Sequence, residues 1–183
     1  MKNWKTGALV VATLTSGLTA GLFAGFAYSV MPGLKRSDDH AFVEVMRNIN
    51  VVIVNPLFMT LFFGGLMSGV IAMLGLWPEV SARLRLWLVA GVASYVVMLG
   101  VTSGINVPLN DQLAVGDLNQ IDLAAVRSDF EDTWVVWNIV RALANLVAFV
   151  SFTWALVLFS RSPQAAPAPR FIPTPVEPVR PGS

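Results

Sequence analysis

The sequence predicts an all-α fold, an integral membrane four-helix bundle, and two observations lead to it. First, 55% of the 183 residues are hydrophobic and only 13% are charged. Together with a mean hydropathy of +0.66, this lies far outside the balance of soluble domains. Second, the charges are confined to short stretches. Each of four runs between them can supply the roughly 20 apolar residues that cross a hydrocarbon core about 30 Å thick.

The transmembrane domain is predicted to occupy residues 1–160. Lys2 and Lys5 precede the first apolar run as they would in a secretion signal, but this run is about twice as long as an apolar signal core and further spans follow it. The first run is therefore predicted to be a transmembrane helix. The four predicted spans are residues 7–30, 51–76, 85–106 and 134–160.

The distribution of basic residues predicts the orientation of the bundle. An even number of spans places both termini on one side, and lysine and arginine accumulate on the cytoplasmic side of membrane proteins. Basic residues are more numerous on the side of the termini, so the termini are predicted to be cytoplasmic, in a bacterial plasma membrane. These residues are Lys2, Lys5, Arg83, Arg85, Arg161, Arg170 and Arg180, against Lys35, Arg36, Arg47 and Arg127 on the other side.

Two amphipathic segments are predicted on the extracytoplasmic side. The segment "SDDHAFVEVMRNIN" has apolar residues at intervals of three and four, which predicts a helix, capped by Ser37 or Asp38, that continues into the second span. Pro56 should kink this helix, and Asn55 can satisfy the carbonyl that the proline leaves free. In the loop between the third and fourth spans, "IDLAAVRSDFEDTW" predicts a short amphipathic helix with Asp122 as its N-cap.

Small residues are regularly spaced in the first span. Gly17, Gly21 and Gly25 follow one another at four-residue intervals, which makes one helix face nearly flat. Membrane helices pack through such residues, because lipid tails give them no hydrophobic drive to associate. Packing within the bundle is the simplest interpretation, and a dimer seam or a flat wall for a planar ligand stays open. No internal repeat is evident in the sequence.

The C-terminal segment, residues 161–183, differs in composition from the rest of the chain. It contains seven of the 11 prolines, in "RSPQAAPAPRFIPTPVEPVRPGS". Proline at this density cannot form a packed helix, so a disordered or polyproline-II tail is predicted.

Polar residues within the spans converge on one end of the predicted bundle. At about 100° per residue, Trp134, Asn138, Arg141 and Asn145 fall on one face of the fourth span, in its extracytoplasmic half. Other polar residues at this depth are Tyr95, Thr102 and Asn106 of the third span, and Glu44, Arg47, Asn48, Asn50 and Asn55 around the start of the second. The convergence predicts a polar pocket inside the extracytoplasmic half.

Arg141 is the residue whose cost demands an explanation. A guanidinium in a bilayer costs on the order of 3 kcal/mol and usually turns toward a partner, a cavity or a substrate path. Taken alone, Arg141 could instead extend its long stem to the membrane surface. The asparagines of other spans at the same depth favour the internal pocket.

Composition excludes several classes of function. The chain contains no cysteine, which rules out disulfides, thiolate metal sites and cysteine nucleophiles. A net charge of +1 without basic and aromatic clusters argues against nucleic-acid binding. The single histidine, His40, lies among acidic residues. Because no second histidine accompanies it, an acidic helix start explains the segment better than a metal site, and no metal is predicted.

Four motifs together are similar to one family. They are "MPGL" after the first span, "FVEVMRNINVVIVNPLF" leading into the second, "NVPLNDQL" after the third and "RSDFEDTWVVWNIVRALAN" opening the fourth. The chain resembles the anthrone oxygenase-like family of small four-helix integral membrane proteins over residues 7–159. The residues at the family's motif positions are Asn50, Asn55, Asn106, Asn110, Arg127, Trp134, Asn138 and Arg141.

The resemblance implies an oxygenase that converts an anthrone to an anthraquinone, with O2 as co-substrate and no cofactor. The methylene group opposite an anthrone carbonyl is acidic, and its anion can pass an electron to O2 directly. The protein then needs an apolar slot, a base, and donors for the developing oxyanion. The expected roles are oxyanion binding for Arg141 and Asn138, stacking for Trp134 and Trp137, and the base for His40 or Asp111, with Tyr95, Thr102 and Asn145 completing the substrate pocket.

A second interpretation stays open, that of a non-enzymatic membrane protein whose pocket holds a lipid or a quinone, or whose helices join a larger complex. A small transporter is disfavoured, because four spans without an inverted repeat offer no scaffold for alternating access. The expected partners are a lipophilic small molecule and membrane lipids. Assembly into a homo-oligomer or a larger membrane complex is also left open.

Overall fold

The computed structural model describes residues 3–161, and within this range it contains helices and turns but no strands. Four helical rods are long and apolar enough to cross a membrane, so the predicted all-α membrane bundle is confirmed. The proline-rich tail beyond Arg161 lies outside the described residues. The helices are α1 (Asn3–Gly25), α2 (Met31–Leu34), α3 (Asp39–Ile53), α4 (Pro56–Leu76), α5 (Ala82–Val101), α6 (Val107–Leu113) and α7 (Leu123–Arg161), with π-helical turns π1 (Phe26–Val30) between α1 and α2 and π2 (Thr102–Asn106) between α5 and α6.

The longest helix, α7, unites two segments that the sequence presents as separate. Its 39 residues correspond to about 58 Å at roughly 1.5 Å per residue, nearly twice a hydrocarbon core of about 30 Å. The predicted loop helix is therefore the N-terminal part of α7 and extends beyond the membrane. Asp122 caps this end as predicted, because its Oδ1 accepts a hydrogen bond from Ala125 N at 3.1 Å.

The second span is broken where the sequence predicts a kink. Val54 (φ −79°, ψ 65°) and Asn55 leave the helical conformation between α3 and α4, so the span starts at Pro56 instead of residue 51. Asn55 satisfies both sides of the break. Its Oδ1 accepts from Phe58 N at 3.0 Å, and its Nδ2 donates at 3.0 Å to the carbonyl of Val52, which the proline nitrogen cannot serve.

The bundle is held together by close helix packing. Helix α1 packs against α4 and α7, and α5 packs against α7 and less extensively against α4. Glycines permit the closest approaches: the ring of Phe152 lies against Gly69, and the ring of Tyr95 lies against Gly65. The flat face of α1 is only partly used, since a Cβ atom at Gly21 would meet nothing within 4 Å among the described residues.

Each π-turn precedes a proline at the start of the next helix, Pro32 in α2 and Pro108 in α6. Proline has no amide hydrogen, and in a regular α-helix its ring collides with the carbonyl four residues earlier. The wider π-turn relieves this collision, and such turns are frequent at functional sites. The chain thus stays helical beyond residues 30 and 106, where the sequence predicts that the first and third spans end.

Arginines from opposite halves of the chain cap the two short helices. Arg47 of α3 donates to three carbonyls at the end of α6, at 2.7, 2.9 and 2.8 Å, and Arg127 of α7 donates to two carbonyls after α2, at 2.9 and 3.0 Å. Carbonyls at and just beyond a helix end have no amide of the helix to accept from. The acceptors are Leu113, Gly116 and Val115 for Arg47, and Ser37 and Lys35 for Arg127. A π-turn, a proline and a capped short helix therefore occur once in each half, although the sequence shows no repeat.

A hydrophobic cluster from α2, α3, α6 and α7 covers this end of the bundle, which we call the site end. Phe42 of α3 and Phe130 of α7 pack edge to face there, with ring centroids 6.2 Å apart. Asp38 caps α3, as one of the two predicted alternatives, by accepting a hydrogen bond from Ala41 N at 2.8 Å. The cluster fixes the helices that surround the cavity described next.

Candidate functional site

A cavity of about 480 Å³ lies at the site end, between α1, the break that separates α3 from α4, the π2–α6 segment and α7. Its volume falls within the range of about 300–1,000 Å³ that small-molecule sites occupy. Apolar and aromatic side chains form most of the wall. The polar and charged side chains in the wall are Arg47, Asn50, Thr102, Asn110, Asp111 and Arg141, and Trp134 adds a ring with a polar N–H group.

Arg141 of α7 is buried, with 7% of its surface exposed. Its guanidinium carbon lies 4.3 Å from the ring centroid of Phe23 and 5.0 Å from that of Trp134, so two aromatic rings stabilise the cation. Among the described residues, no carboxylate forms an ion pair with it. The guanidinium therefore directs an uncompensated positive charge into an apolar cavity, where an anionic atom of a ligand would be its counter-charge.

Asn138 orients this guanidinium. Its Oδ1 accepts a hydrogen bond from Arg141 Nε at 3.1 Å, and its Nδ2 donates to the carbonyl of Phe23 at 3.1 Å. Asn138 is fully buried, so each end of its amide needs such a partner. The two Nη groups of Arg141 have no hydrogen-bond acceptor within the described residues, which leaves them for a ligand.

Trp134 is fixed from two directions. Its Nε1 donates to Asn110 Oδ1 at 2.8 Å, and its carbonyl accepts from Asn106 Nδ2 at 3.3 Å. Its ring packs on Phe130 with centroids 5.9 Å apart. The π2–α6 segment supplies both asparagines, so the second π-turn positions the partners of the largest aromatic wall.

Two polar groups in the wall are available to a ligand or to water. Asn50 Nδ2 is buried and has no hydrogen-bond partner in the described part of the chain, and buried amides rarely stay unpaired. Asp111 carries the carboxylate of the wall and is exposed at the rim formed by α6. It is therefore the acid that can reach both the cavity and the surrounding water.

Several residues predicted for the site lie elsewhere. His40 is at the exposed start of α3, where its Nδ1 lies 3.7 Å from Glu44 Oε2. Tyr95 donates to a carbonyl of α4 at 3.0 Å, between α4 and α5. Asn55 serves the helix break and Arg127 serves the end of α2, as described above. The polar residues Glu44 and Asn48 of α3 are exposed, so α3 contributes Arg47 and Asn50 to the cavity and not the polar face that helical periodicity suggests.

Two further predicted residues are on α7 but do not line the cavity. Trp137 is partly buried. Asn145 is fully buried, and neither of its side-chain polar atoms has a hydrogen-bond partner within the described residues. Periodicity places Asn145 on the same face as Arg141, but one turn deeper in the bundle.

The apolar wall is the part of the site that sequence reasoning missed. In a membrane helix, residues that line a cavity and residues that face lipid are of the same apolar types, so no single position indicates a cavity. The prolines that follow the first and third spans are the available signal, because both π-turns next to them border the site. The missed wall residues include Leu22, Phe23, Phe26, Val51, Ile53, Val54, Phe58, Met59, Phe62 and Val107.

Comparison with known families identifies the chain. A family model described as anthrone oxygenase matches residues 58–151, just over half of the sequence. The chain belongs to the anthrone oxygenase family. No curated protein and no solved structure matches it.

The match to the anthrone oxygenase model begins in α4 and ends in α7, so it takes in π2 and α6 and leaves α1 and α3 outside. Four of the polar and charged wall residues therefore belong to the family region, namely Thr102, Asn110, Asp111 and Arg141, whereas Arg47 and Asn50 of α3 and the aromatic wall from α1 lie before it. The matched site residues are Thr102, Asn106, Asn110, Asp111, Trp134, Asn138 and Arg141.

Proposed function

We propose that the protein is an oxygenase that oxidises a lipophilic, anthrone-type aromatic substrate with O2 in the cavity at the site end. The observation that carries the proposal is the buried guanidinium of Arg141, which faces an apolar cavity without a carboxylate partner among the described residues. Membership of the anthrone oxygenase family supports the reaction class.

The cavity suits a flat aromatic substrate. Phe23 and Trp134 supply rings beside the guanidinium. In the part of the wall that α4 forms, Phe58 and Phe62 stack on each other with ring centroids 5.2 Å apart. Planar ring systems bind such walls through offset or edge-to-face contacts. In this arrangement the substrate carbonyl points to the Nη groups of Arg141, and the opposite methylene group points away from them.

The reaction begins with loss of a methylene proton to a base. Removing this proton moves negative charge through the ring system onto the carbonyl oxygen, and Arg141 stabilises that oxyanion. A single preorganised donor of this kind lowers the barrier by about 3 kcal/mol, which raises the rate roughly a hundredfold. Asp111 is the base we favour over His40, because it borders the cavity while the half-exposed His40 does not.

The oxidation itself uses electrons from the substrate anion. One electron passes to O2, and the resulting superoxide and carbon radical combine into a peroxide at the former methylene carbon. Taking up one proton and losing the second methylene hydrogen, the peroxide breaks its O–O bond, leaving one oxygen as the quinone carbonyl and releasing the other as water. The balance is one substrate and one O2 giving one quinone and one water, so we propose no resident cofactor.

The test is turnover by the purified full-length protein in liposomes. With anthrone as substrate, we expect O2 uptake and quinone formation in a one-to-one ratio, well above the spontaneous oxidation measured in protein-free liposomes. Uptake equal to that of protein-free liposomes would refute the oxygenase. If a quinone or lipid then co-purified in the cavity, the non-enzymatic binding interpretation would take its place.

A further inference from the structure

We propose that the substrate reaches the cavity sideways from the bilayer, through an opening beside the break between α3 and α4. We call Val51, Val54 and Met59 the lipid portal, since each lines the cavity and also has an exposed side chain. The inference rests on the proposed function, because it describes delivery to the same cavity. It specifies the substrate class further: the molecule arrives uncharged and dissolved in lipid, and it becomes an anion only inside.

The helix break creates the portal. A continuous helix from α3 into α4 would put the side chains near Val54 into regular ridges, but Val54 and Asn55 are non-helical. A break at membrane depth is tolerated only if its backbone groups find partners. Asn55 supplies them on both sides through its hydrogen bonds to Phe58 N and the Val52 carbonyl, so the opening leaves these two groups satisfied.

The surface around the portal is apolar. The exposed fractions are 76% for Val51, 63% for Val54 and 37% for Met59, and the neighbouring Val52 and Leu57 are each 71% exposed. A contiguous group of exposed aliphatic side chains is rare on soluble surfaces and marks contact with lipid or a partner. Here it continues directly into the membrane-spanning α4, which identifies the bilayer as the occupant.

A second part of the cavity rim, at the end of α6, has different chemistry. There the exposed wall residues are Asp111 and Ala114 of the α6 end, next to the backbone carbonyls that Arg47 holds. Water can reach this rim and lipid can reach the portal. A neutral aromatic molecule would therefore enter at the portal, and protons would leave through Asp111.

The depth of Arg141 agrees with access from the membrane. It lies about 30 Å before the C-terminal end of α7 at roughly 1.5 Å per residue, which is about one hydrocarbon thickness. If Arg161 marks one membrane boundary, the guanidinium is near the other. A substrate held by its oxyanion there would keep its rings at the level of the acyl chains.

The experiment uses a thiol probe and does not depend on turnover. The chain has no cysteine, so Thr102→Cys introduces a single thiol at a buried cavity position. The protein in liposomes is treated with pyrenyl maleimide, a flat reagent that dissolves in lipid, or with a sulfonated maleimide confined to water. We expect the pyrenyl reagent to label the thiol and the sulfonated reagent to react much more slowly.

Portal substitutions provide the decisive comparison. Val54→Trp should slow pyrenyl labelling of the Thr102→Cys thiol about tenfold, which corresponds to an increase of about 1.4 kcal/mol in the barrier to entry. Val52→Trp is the matched control, because Val52 is as exposed but does not line the cavity, and it should leave the rate unchanged. Met59→Trp serves as a second portal variant, with thermal unfolding in detergent confirming that each variant is folded.

Three results would overturn the proposal: faster labelling by the sulfonated reagent, equal slowing by the Val52 and portal substitutions, or no labelling of the thiol by either reagent. If labelling follows the expected pattern but the unsubstituted protein shows no O2 uptake, the portal is kept and the oxygenase is rejected. Failure of the portal and failure of the proposed reaction are thus separated.

Discussion

Arg141 donates its Nε hydrogen to Asn138 Oδ1 at 3.1 Å within one turn of α7. The bond uses the side of the guanidinium that faces its own helix and leaves the far side toward the cavity. A neutral amide also fixes the cation but does not neutralise its charge, whereas a carboxylate would neutralise it. The pair thus keeps a full positive charge available in an apolar site, and the first two predictions concern it.

Replacing Arg141 should separate activity from stability. We expect Arg141→Met to lower kcat/KM for anthrone oxidation about a hundredfold, as removal of an oxyanion donor does. Stability should fall by less than about 1 kcal/mol, because removal of a buried cation that has no carboxylate partner among the described residues offsets the lost hydrogen bond and ring contacts. O2 uptake and thermal unfolding measure the two effects. Arg83→Met, at an exposed position in α5, is the control and should change neither.

Giving the guanidinium a counter-ion should also impair the reaction. Asn138→Asp places a carboxylate where Asn138 Oδ1 now accepts from Arg141, so the charge would be neutralised within the protein. We expect kcat to fall about tenfold or more while the protein stays folded, since an internal ion pair competes with the substrate oxyanion. Asn138→Gln, which retains an amide, is the comparison. Higher activity in the Asp variant than in the Gln variant would show that Arg141 does not act through its free charge.

The identity of the base can be settled by two substitutions. Asp111→Asn should reduce kcat about a hundredfold, the scale of general base catalysis, because no other wall residue in the described part of the chain carries a carboxylate. His40→Gln should have no effect, because its imidazole lies at the exposed start of α3. Steady-state rates with anthrone in liposomes give the comparison. The reverse pattern would make His40 the base and require movement of α3.

The arginine caps should contribute to the stability of the fold. Arg47→Met removes three hydrogen bonds to carbonyls at the end of α6, and we expect the free energy of unfolding to fall by about 2 kcal/mol. Thermal unfolding in detergent would report the change. Arg36→Met alters an exposed arginine after α2 and should leave the transition where it is. An unchanged unfolding transition in the Arg47 variant would show that the cap does not stabilise the fold.

The fold and part of the candidate site are predictable because hydropathy and helical periodicity report burial. Periodicity places Trp134, Asn138, Arg141 and Asn145 on one face, and all four are buried in the structure. The same reasoning fails for Glu44 and Asn48, since it treats the segment before Pro56 as one helix continuing into the membrane. The chain breaks there instead, and the residues that follow take a new direction.

Other features were hidden because they depend on contacts distant in sequence. The sequence places Arg47 among the polar residues at the start of the second span and Arg127 at a motif position of the family, and only the folded chain brings them to the ends of α6 and α2. Asp38 and Asp122, in contrast, act on residues three positions away, which is why their caps are visible in the sequence. The π-turns fall between these cases. The prolines after the first and third spans indicate that the regular α-helix is interrupted there. The wider π-turn itself becomes visible only in the backbone structure.

The exchange of arginines between the two halves has a consequence for assembly. Arg47 of the first hairpin (α1 to α4) completes a helix end in the second hairpin (α5 to α7), and Arg127 of the second completes one in the first. Neither hairpin can therefore complete its part of the site end alone while it is being inserted during synthesis. The cavity therefore forms late in biogenesis, when the second hairpin packs onto the first, and an unfinished chain has no complete cavity in which to bind a ligand.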